Sequence, residues 1–412
     1  MCYSLVLDCF KNVLMSSLVA QPLWKVVDLF SGCGGMSAGF RVYDDHFSIV
    51  GAVDYEVAKP GRGKHKPSST RCNSTYRRNI GIAPKYADLS SLNPQAYRQE
   101  LGLEKGELEV LIACPPCTGF SQKNARNHLE DDPRNGLVER TASFVEEFFP
   151  EFLVMENVKE LLNGKQAHHF QYLCDRLSHL NYSVYSGVHN LSDYGLPQRR
   201  MRTLVIARRD YGFLGDKPLT SVGRLTTVRE AIAHLPKVSA GEVHSADLMH
   251  VAPGMTATVQ RRIRAIPKNG GSWGDIMNDP NFSEEEKRSL LIPSMFRARP
   301  GSFPDVYGRL KWDTVAATIT RECGHVGNGR YVHPEQDRLL TVREMALLQG
   351  FPSTYFFEGP VSAKYNQIGD AVPPSISKQI AEYIIRLKTC SGVTRIEATY
   401  QKAHQPSLLT PA

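Results

Sequence analysis

The sequence predicts an α/β protein: a mostly parallel sheet covered by helices on both faces, followed by a smaller and less regular domain. Short apolar runs recur at residues 26–30, 49–53, 110–113, 152–155, 183–189 and 203–207, with glycine, acidic or proline punctuation and helix-like segments between them. Strands and helices that alternate in this way build parallel sheets, because each crossover helix must lie on a face. After about Tyr211 the rhythm fades, and Pro, Gly and Arg are frequent until about Pro334. Ligands of such sheets gather at the carboxyl ends of the strands, so the chemistry is sought there.

Composition sets the outer limits. The 412 residues are 42% hydrophobic and 22% charged, a globular balance for two or three domains with a sizeable core. Forty-nine Lys and Arg against 42 Asp and Glu give a net +7, which suits a polyanionic partner without requiring one. Nine cysteines lack the dense spacing of a secreted disulfide scaffold, so free thiols in a reducing cytoplasm are expected. Asp8 and Lys11 interrupt the apolar stretch 1–20, and no later window holds about eighteen uninterrupted apolar residues. The expectation is a soluble protein.

The elements divide the chain into an N-terminal extension (1–24), a regular βα domain (25–210) where the chemistry is sought, the irregular domain (211–334), a returning segment (335–390) and a disordered tail (391–412). Within the first domain, residues 59–71 are rich in Lys, Arg, Gly, Pro and Ser and read as a solvated basic loop. Thr227-Val-Arg-Glu230 and Thr341-Val-Arg-Glu344 each pair an N-cap Thr with a Glu three residues on, the signature of a capping box. The second helix should stop at Gly350, with Phe351-Pro352 beyond. A last helix is expected from Ser375 to about Leu387.

Asp28-Leu-Phe-Ser-Gly-Cys-Gly-Gly-Met-Ser-Ala-Gly-Phe40 sets a glycine-rich turn between the first strand and a helix, where the backbone can approach a ligand closely. Phe30, Ser31, Gly32, Gly34 and Gly35 are its cofactor-binding candidates. The spacing Gly32-x-Gly34-Gly35 does not fit G-x-G-x-x-G, which disfavours a nicotinamide enzyme. The second strand ends at Asp54-Tyr55, a carboxylate for a ribose diol and a ring to stack on adenine. Asp88, after a third short segment, could accept from the adenine amino group.

Cys114-Pro-Pro-Cys117 follows the strand 110–113. A Cys-x-x-Cys prompts a redox or zinc reading, but no second pair stands at ligand spacing, and Cys323-Gly-His325 is isolated. No metal is therefore expected. The prolines stiffen the turn, so Cys117 projects from a strand end as a nucleophile, with Cys114 a buried strand terminus. Glu156 of Met155-Glu156-Asn157-Val158 ends another buried strand, where partial desolvation would raise its pKa and let it hold or donate a proton. Alternation puts Gln198, Arg200 and Arg202 on one face, three long donors suited to a base or phosphate.

From about Val26 to Ile384 these segments, in this linear order, resemble the cytosine-5 DNA methyltransferase family. The resemblance covers the cofactor loop Asp28 to Phe40, the catalytic turn Pro115-Pro-Cys117, Glu156-Asn-Val158, the strand Gln198-x-Arg200-x-Arg202, Arg338 to Pro352, and Lys364-Tyr-Asn-Gln-Ile-Gly-Asp-Ala-Val-Pro-Pro374. Thr118 stands where the family usually has Gln, and Asp370 where it has Asn. A carboxylate cannot donate as an amide does.

The resemblance implies a Rossmann-like, S-adenosylmethionine-dependent methyltransferase with a target-recognition domain at 211–334. S-adenosylmethionine would be the methyl donor, with Leu89, Pro115 and Asp370 joining its site. Cys117 would attack carbon 6 of a cytosine, Glu156 would bond the ring nitrogen, and Arg202 would hold the exocyclic oxygen with Arg200 beside it. Gln198, Arg261, Arg262 and Arg264 are the substrate-binding candidates. The implied partner is double-stranded DNA, bound by a monomer in a bacterial cytoplasm at the nucleoid, and a cognate restriction endonuclease is compatible with this. The rivals are a tRNA cytosine methyltransferase, a silent nucleic-acid-binding relative and a nicotinamide dehydrogenase. The long arginine-bearing variable region, the retained Cys117, Glu156 and Arg202, and the glycine spacing weigh against them in turn.

Overall fold

The computed structural model describes residues 22–56, 69–116, 131–210, 212, 214, 217–297 and 303–403. Cys117, Thr118, residues 59–68 of the basic loop and nearly all of the N-terminal extension lie outside them.

Strands β1 (Trp24–Leu29), β2 (Phe47–Asp54), β3 (Lys85–Tyr86), β4 (Val110–Ala113), β5 (Phe152–Val158), β6 (Ser183–Asn190) and β7 (Met201–Arg208) form one sheet in the order β3-β2-β1-β4-β5-β7-β6. All six expected strands are present. β3 escaped the sequence pattern because two residues have no period to read. The pairs β1–β2, β1–β4, β2–β3 and β4–β5 are parallel, while β7 runs antiparallel to both β5 and β6.

Alternation along the central strands feeds two separate cores. Val27, Leu29, Leu111, Ala113, Leu153 and Met155 pack with Val138, Val145, Leu173 and Leu177 of the helices Gly136–Phe148 and His168–His179. Val26, Val110, Ile112 and Val154 face the other way, onto Phe40, Ile376, Ile380 and Ile384 of the helices Gly35–Arg41 and Pro374–Ala403. Both faces of β4 are therefore covered, and all four of its residues are buried. The strand order reverses between β1 and β4, and this switch point opens the crevice at the carboxyl edge.

After β7 the only further strand pair among the described residues is β8 (Val243–His244) with β9 (Asp247–Val251). Short helices fill the rest of this region. Both expected capping boxes are formed, and Ser272 with Asp275 and Ser283 with Glu286 make two more. The helix Val342–Leu348 ends before Gly350, whose φ of 84° is the left-handed conformation expected of a stop glycine. Residues from Val228 to Val332 share one apolar core with Leu339 to Ala371, and Cys33 and Cys72 reach into it. The irregular region is thus fused to the returning segment.

The last helix runs to Ala403 instead of ending near Leu387. No proline interrupts the sequence there, and a lone Gly392 costs a helix only about 1 kcal/mol. Among the described residues, no helix is long and apolar enough to cross a membrane.

Candidate active site

The turn after β1 is held open by its backbone. Phe30, Gly32 and Gly34 have φ of 58°, 52° and 90°. Asp54, at the end of β2, accepts from the Gly32 amide at 2.8 Å and from the Glu56 amide at 2.7 Å, so this carboxylate shapes the turn. A Cβ on Gly35 would lie 2.2 Å from the Val372 carbonyl oxygen, and one on Gly39 would lie 2.0 Å from the Ser377 hydroxyl. The glycines therefore serve the approach of the returning segment as much as that of a ligand. Tyr355 donates to the Cys33 carbonyl at 2.6 Å, and Ser377 to the Gly35 carbonyl at 3.1 Å.

Beneath the turn Asp28 is buried, accepting from Ser37 Oγ at 2.5 Å, and Tyr76 lies 2.7 Å from that hydroxyl. Burial pushes the Asp28 carboxyl up to about 7, against the Ser37 hydrogen bond and with help from the Asp54 charge. The folded chain thus prefers protonated Asp28, and the associated stability is lost as pH rises from about 4 through about 7. Asp28→Asn removes this titration, so on going from pH 5 to pH 8 the variant should gain on the parent by about 3 kcal/mol. Unfolding followed at both pH values measures it, and a pH-independent difference would contradict the reading.

Tyr55 and Tyr86, 48% and 63% exposed, lie side by side at the carboxyl edge with ring centroids 5.5 Å apart. Register explains the pairing, because Asp54 sits opposite Tyr86. Asp88 is exposed and accepts from the Ser90 amide at 2.9 Å, while Leu89 beside it is buried. Arg140, which the sequence did not single out, holds this turn by donating to the carbonyls of Leu89 and Leu92 at 3.2 and 2.6 Å. Ser31 Oγ is buried and meets no hydrogen-bond partner among the described residues. An exposed aromatic pair, an open glycine turn, strand-end carboxylates and an unsatisfied hydroxyl fit a nucleoside-bearing cofactor.

Next along the edge, the ends of β4 and β5 are tied together. The Glu156 amide donates to Cys114 Sγ at 3.4 Å, and Asn157 Nδ2 donates to the Pro115 carbonyl at 3.1 Å. Asn157 therefore positions the turn that leads to Cys117, a role sequence reasoning missed. Cys114 is no nucleophile, since burial pushes its thiol well above the ordinary cysteine range, reinforced by the Glu156 charge. Because β7 is reversed, its first residues arrive where β5 ends. Arg202 is opposite Val158 and diagonal to Glu156, and its Nε lies 3.0 Å from Glu156 Oε1. Both side chains are largely buried.

The other two donors of that strand entry do not face the cleft. Gln198 is fully buried, accepting from the Ile319 amide at 2.8 Å and donating to Gln349 Oε1 at 2.7 Å. Arg200, 2% exposed, donates to the carbonyls of Ile319 and Ala371 at 2.9 and 3.3 Å. Strand alternation did not apply, because both residues precede β7 and are captured by the returning segment. They are positioning residues, correcting the expected substrate contact of Gln198 and the catalytic place of Arg200. Asp370 pairs with Arg321, and the adjacent Gly369 passes so close to Thr320 that a Cβ would lie 2.2 Å from its carbonyl oxygen.

In the irregular region Arg261 and Arg264 are exposed, but Arg262 is 5% exposed. Its guanidinium donates to the Leu290 carbonyl and lies 4.6 Å from the Tyr307 ring centroid, so it holds the fold and is withdrawn as a substrate contact. Cys323 and His325 form no metal pair: Cys323 Sγ meets the Tyr365 carbonyl at 3.4 Å and His325 Nδ1 accepts from the Gly327 amide at 2.9 Å.

Comparison with known proteins places the chain in a family. The chain is 31% identical to the type II methylase M.HgiDII of Herpetosiphon aurantiacus, covering 88% of this chain and 95% of that one. It is also 31% identical to the type II methyltransferase M1.HphI of Haemophilus parahaemolyticus, over 94% and 93% of the two chains. Among solved structures, a prophage-encoded E. coli chain shares the fold with a TM-score of 0.65 at 20% identity, covering 89% of this chain and 99% of that one. The family model of C-5 cytosine-specific DNA methylases matches residues 24–386, and the chain belongs to that family.

Proposed function

We propose that this chain methylates carbon 5 of a cytosine in duplex DNA, with Cys117 as nucleophile and S-adenosylmethionine as methyl donor. The observation that carries the reading is the Glu156–Arg202 pair at the strand edge, directly beside the Pro115 turn that leads to Cys117. The Cys117 thiolate bonds to carbon 6, Glu156 bonds the ring nitrogen, and Arg202 holds the exocyclic oxygen, so electron density moves to carbon 5. After methyl transfer, loss of the carbon-5 proton restores the ring double bond and expels the thiolate. The ring is unreachable inside a duplex, so the cytosine must be rotated out, as the physics of stacked bases requires of methyltransferases generally.

The donor's nucleoside fits Phe30 to Gly35, Asp54, Tyr55, Asp88 and Leu89, with Pro115 and Asp370 closing the site. Bound there, it supplies an electrophilic methyl group. Asp54→Ala and Asp88→Ala should each weaken its binding by about 1–3 kcal/mol, the scale of a lost charge-assisted hydrogen bond. Calorimetry measures this, and parent-like affinity in both variants would reject these contacts.

Residues 211–334 are proposed as the target-recognition domain, with exposed Arg261 and Arg264 toward DNA. The enzyme is read as a cytoplasmic monomer, with a cognate endonuclease as its functional counterpart. Bisulfite sequencing of DNA from an expressing host tests the function. Protected cytosines in one recurrent sequence are expected, and a pattern identical to that of the non-expressing host would reject it.

A further inference from the structure

We propose that Asp131, His168 and His169 form a site for one divalent transition-metal ion of the zinc class, built from residues that take no part in the cleft. The nitrogens of both histidines converge on a single oxygen: His169 Nε2 lies 2.8 Å and His168 Nε2 3.5 Å from Asp131 Oδ2. One ligand atom from each residue falls within 4.8 Å of the others. Zinc holds nitrogen and oxygen ligands at about 2.0–2.1 Å in a tetrahedron, which places ligand atoms roughly 3.3 Å from one another. The two N···O separations, 2.8 and 3.5 Å, bracket that spacing.

The surroundings are those of a built site. His169, 7% exposed, presents its other ring nitrogen to Glu139 Oε1 at 2.7 Å, the carboxylate–histidine arrangement that fixes tautomer and ring orientation at metal centres. The second oxygen of Asp131 accepts from Asn135 Nδ2 at 2.7 Å. Hydrogen bonding accounts for His169 between two carboxylates, and the exposed His168 turns toward the same oxygen, drawn by its charge across 3.5 Å. Its ring lies 4.1 Å from that of His169, centroid to centroid. Asp131 and His168 are at the surface, so an ion can enter and keep a fourth position for water. Two imidazoles and one carboxylate favour zinc, cobalt or nickel over magnesium or calcium, which prefer all-oxygen shells.

Asp131 leads into the turn Pro133–Asn135 and the helix Gly136–Phe148, and the histidines open the helix His168–His179. An ion would clasp the entries of two helices that share one core. This departs from the sequence expectation of no metal, which weighed only cysteine motifs; Asp131 is too distant from His168-His169 in sequence for spacing to reveal it.

The test uses the tag-free, full-length protein after chelator treatment, titrated with Co²⁺ by absorbance and with Zn²⁺ by calorimetry and thermal melting. One equivalent should bind without a thiolate-to-cobalt charge-transfer band, and Zn²⁺ should raise the melting temperature. His168→Ala alters an exposed side chain, so it should melt like the metal-free parent yet lose at least tenfold in affinity and the Zn²⁺-dependent rise. Asp131→Asn should also weaken binding. No stoichiometric binding, a thiolate band, or unchanged affinity in His168→Ala would overturn the proposal.

Discussion

Cys117→Ser is expected to lose nearly all methyl transfer while still binding donor and DNA. The loss should reach several orders of magnitude, the scale seen when a covalent nucleophile is removed. A serine hydroxyl is barely ionised near neutrality, and nothing in the proposed chemistry can replace the bond to carbon 6. Among the described residues, no other thiol can stand in. Cys114 is the nearest in sequence, but it directly follows β4, and burial raises its thiol far above the range where a thiolate forms readily. Burial likewise raises the thiols of Cys33, Cys72, Cys174 and Cys323. Single-turnover transfer of a labelled methyl group measures the loss, and a serine variant within tenfold of the parent would move the nucleophile elsewhere.

Glu156→Gln should be the second most damaging change, lowering kcat by about 10²–10⁴-fold, the usual contribution of a placed acid–base group. Glutamine keeps the size and shape of the side chain, so the fold should survive the loss of the ion pair with Arg202. What it lacks is the carboxyl group that bonds the ring nitrogen and stabilises charge there as carbon 6 is attacked. The loss should therefore fall on kcat, with donor binding unchanged. A drop confined to KM would recast Glu156 as a binding residue.

The convergence of candidate residues on one edge was legible in the sequence where each of them sits at or near a strand end. Asp54, Glu156 and Arg202 follow apolar runs or begin one, and parallel topology then brings those ends to one edge. Arg202 joins Glu156 only because β7 is reversed, which its sequence does not announce. Gln198, Arg200 and Arg262 were misread for a related reason. Long polar side chains near a strand or on a helix look like surface, but segments 119 to 171 residues away in sequence cover Gln198 and Arg200 and supply carbonyls to Arg200. Arg309 was missed in the same way: it is fully buried and donates to the carbonyls of Ile263, Ile266, His333 and Gln336. Buried arginines that satisfy loop carbonyls compensate for a region poor in sheet hydrogen bonds.

The central claim is that Cys117 bonds covalently to the target cytosine, and trapping that adduct tests it most directly. A duplex carrying 5-fluorocytosine at the site located by bisulfite sequencing is incubated with enzyme and S-adenosylmethionine, then denatured. Fluorine cannot leave carbon 5 as a proton does, so the step that expels the thiolate is blocked. A donor-dependent covalent complex is expected, with mass spectrometry placing the nucleotide on Cys117. A complex mapped to another residue, or none under conditions where the unmodified duplex is methylated, would contradict the account.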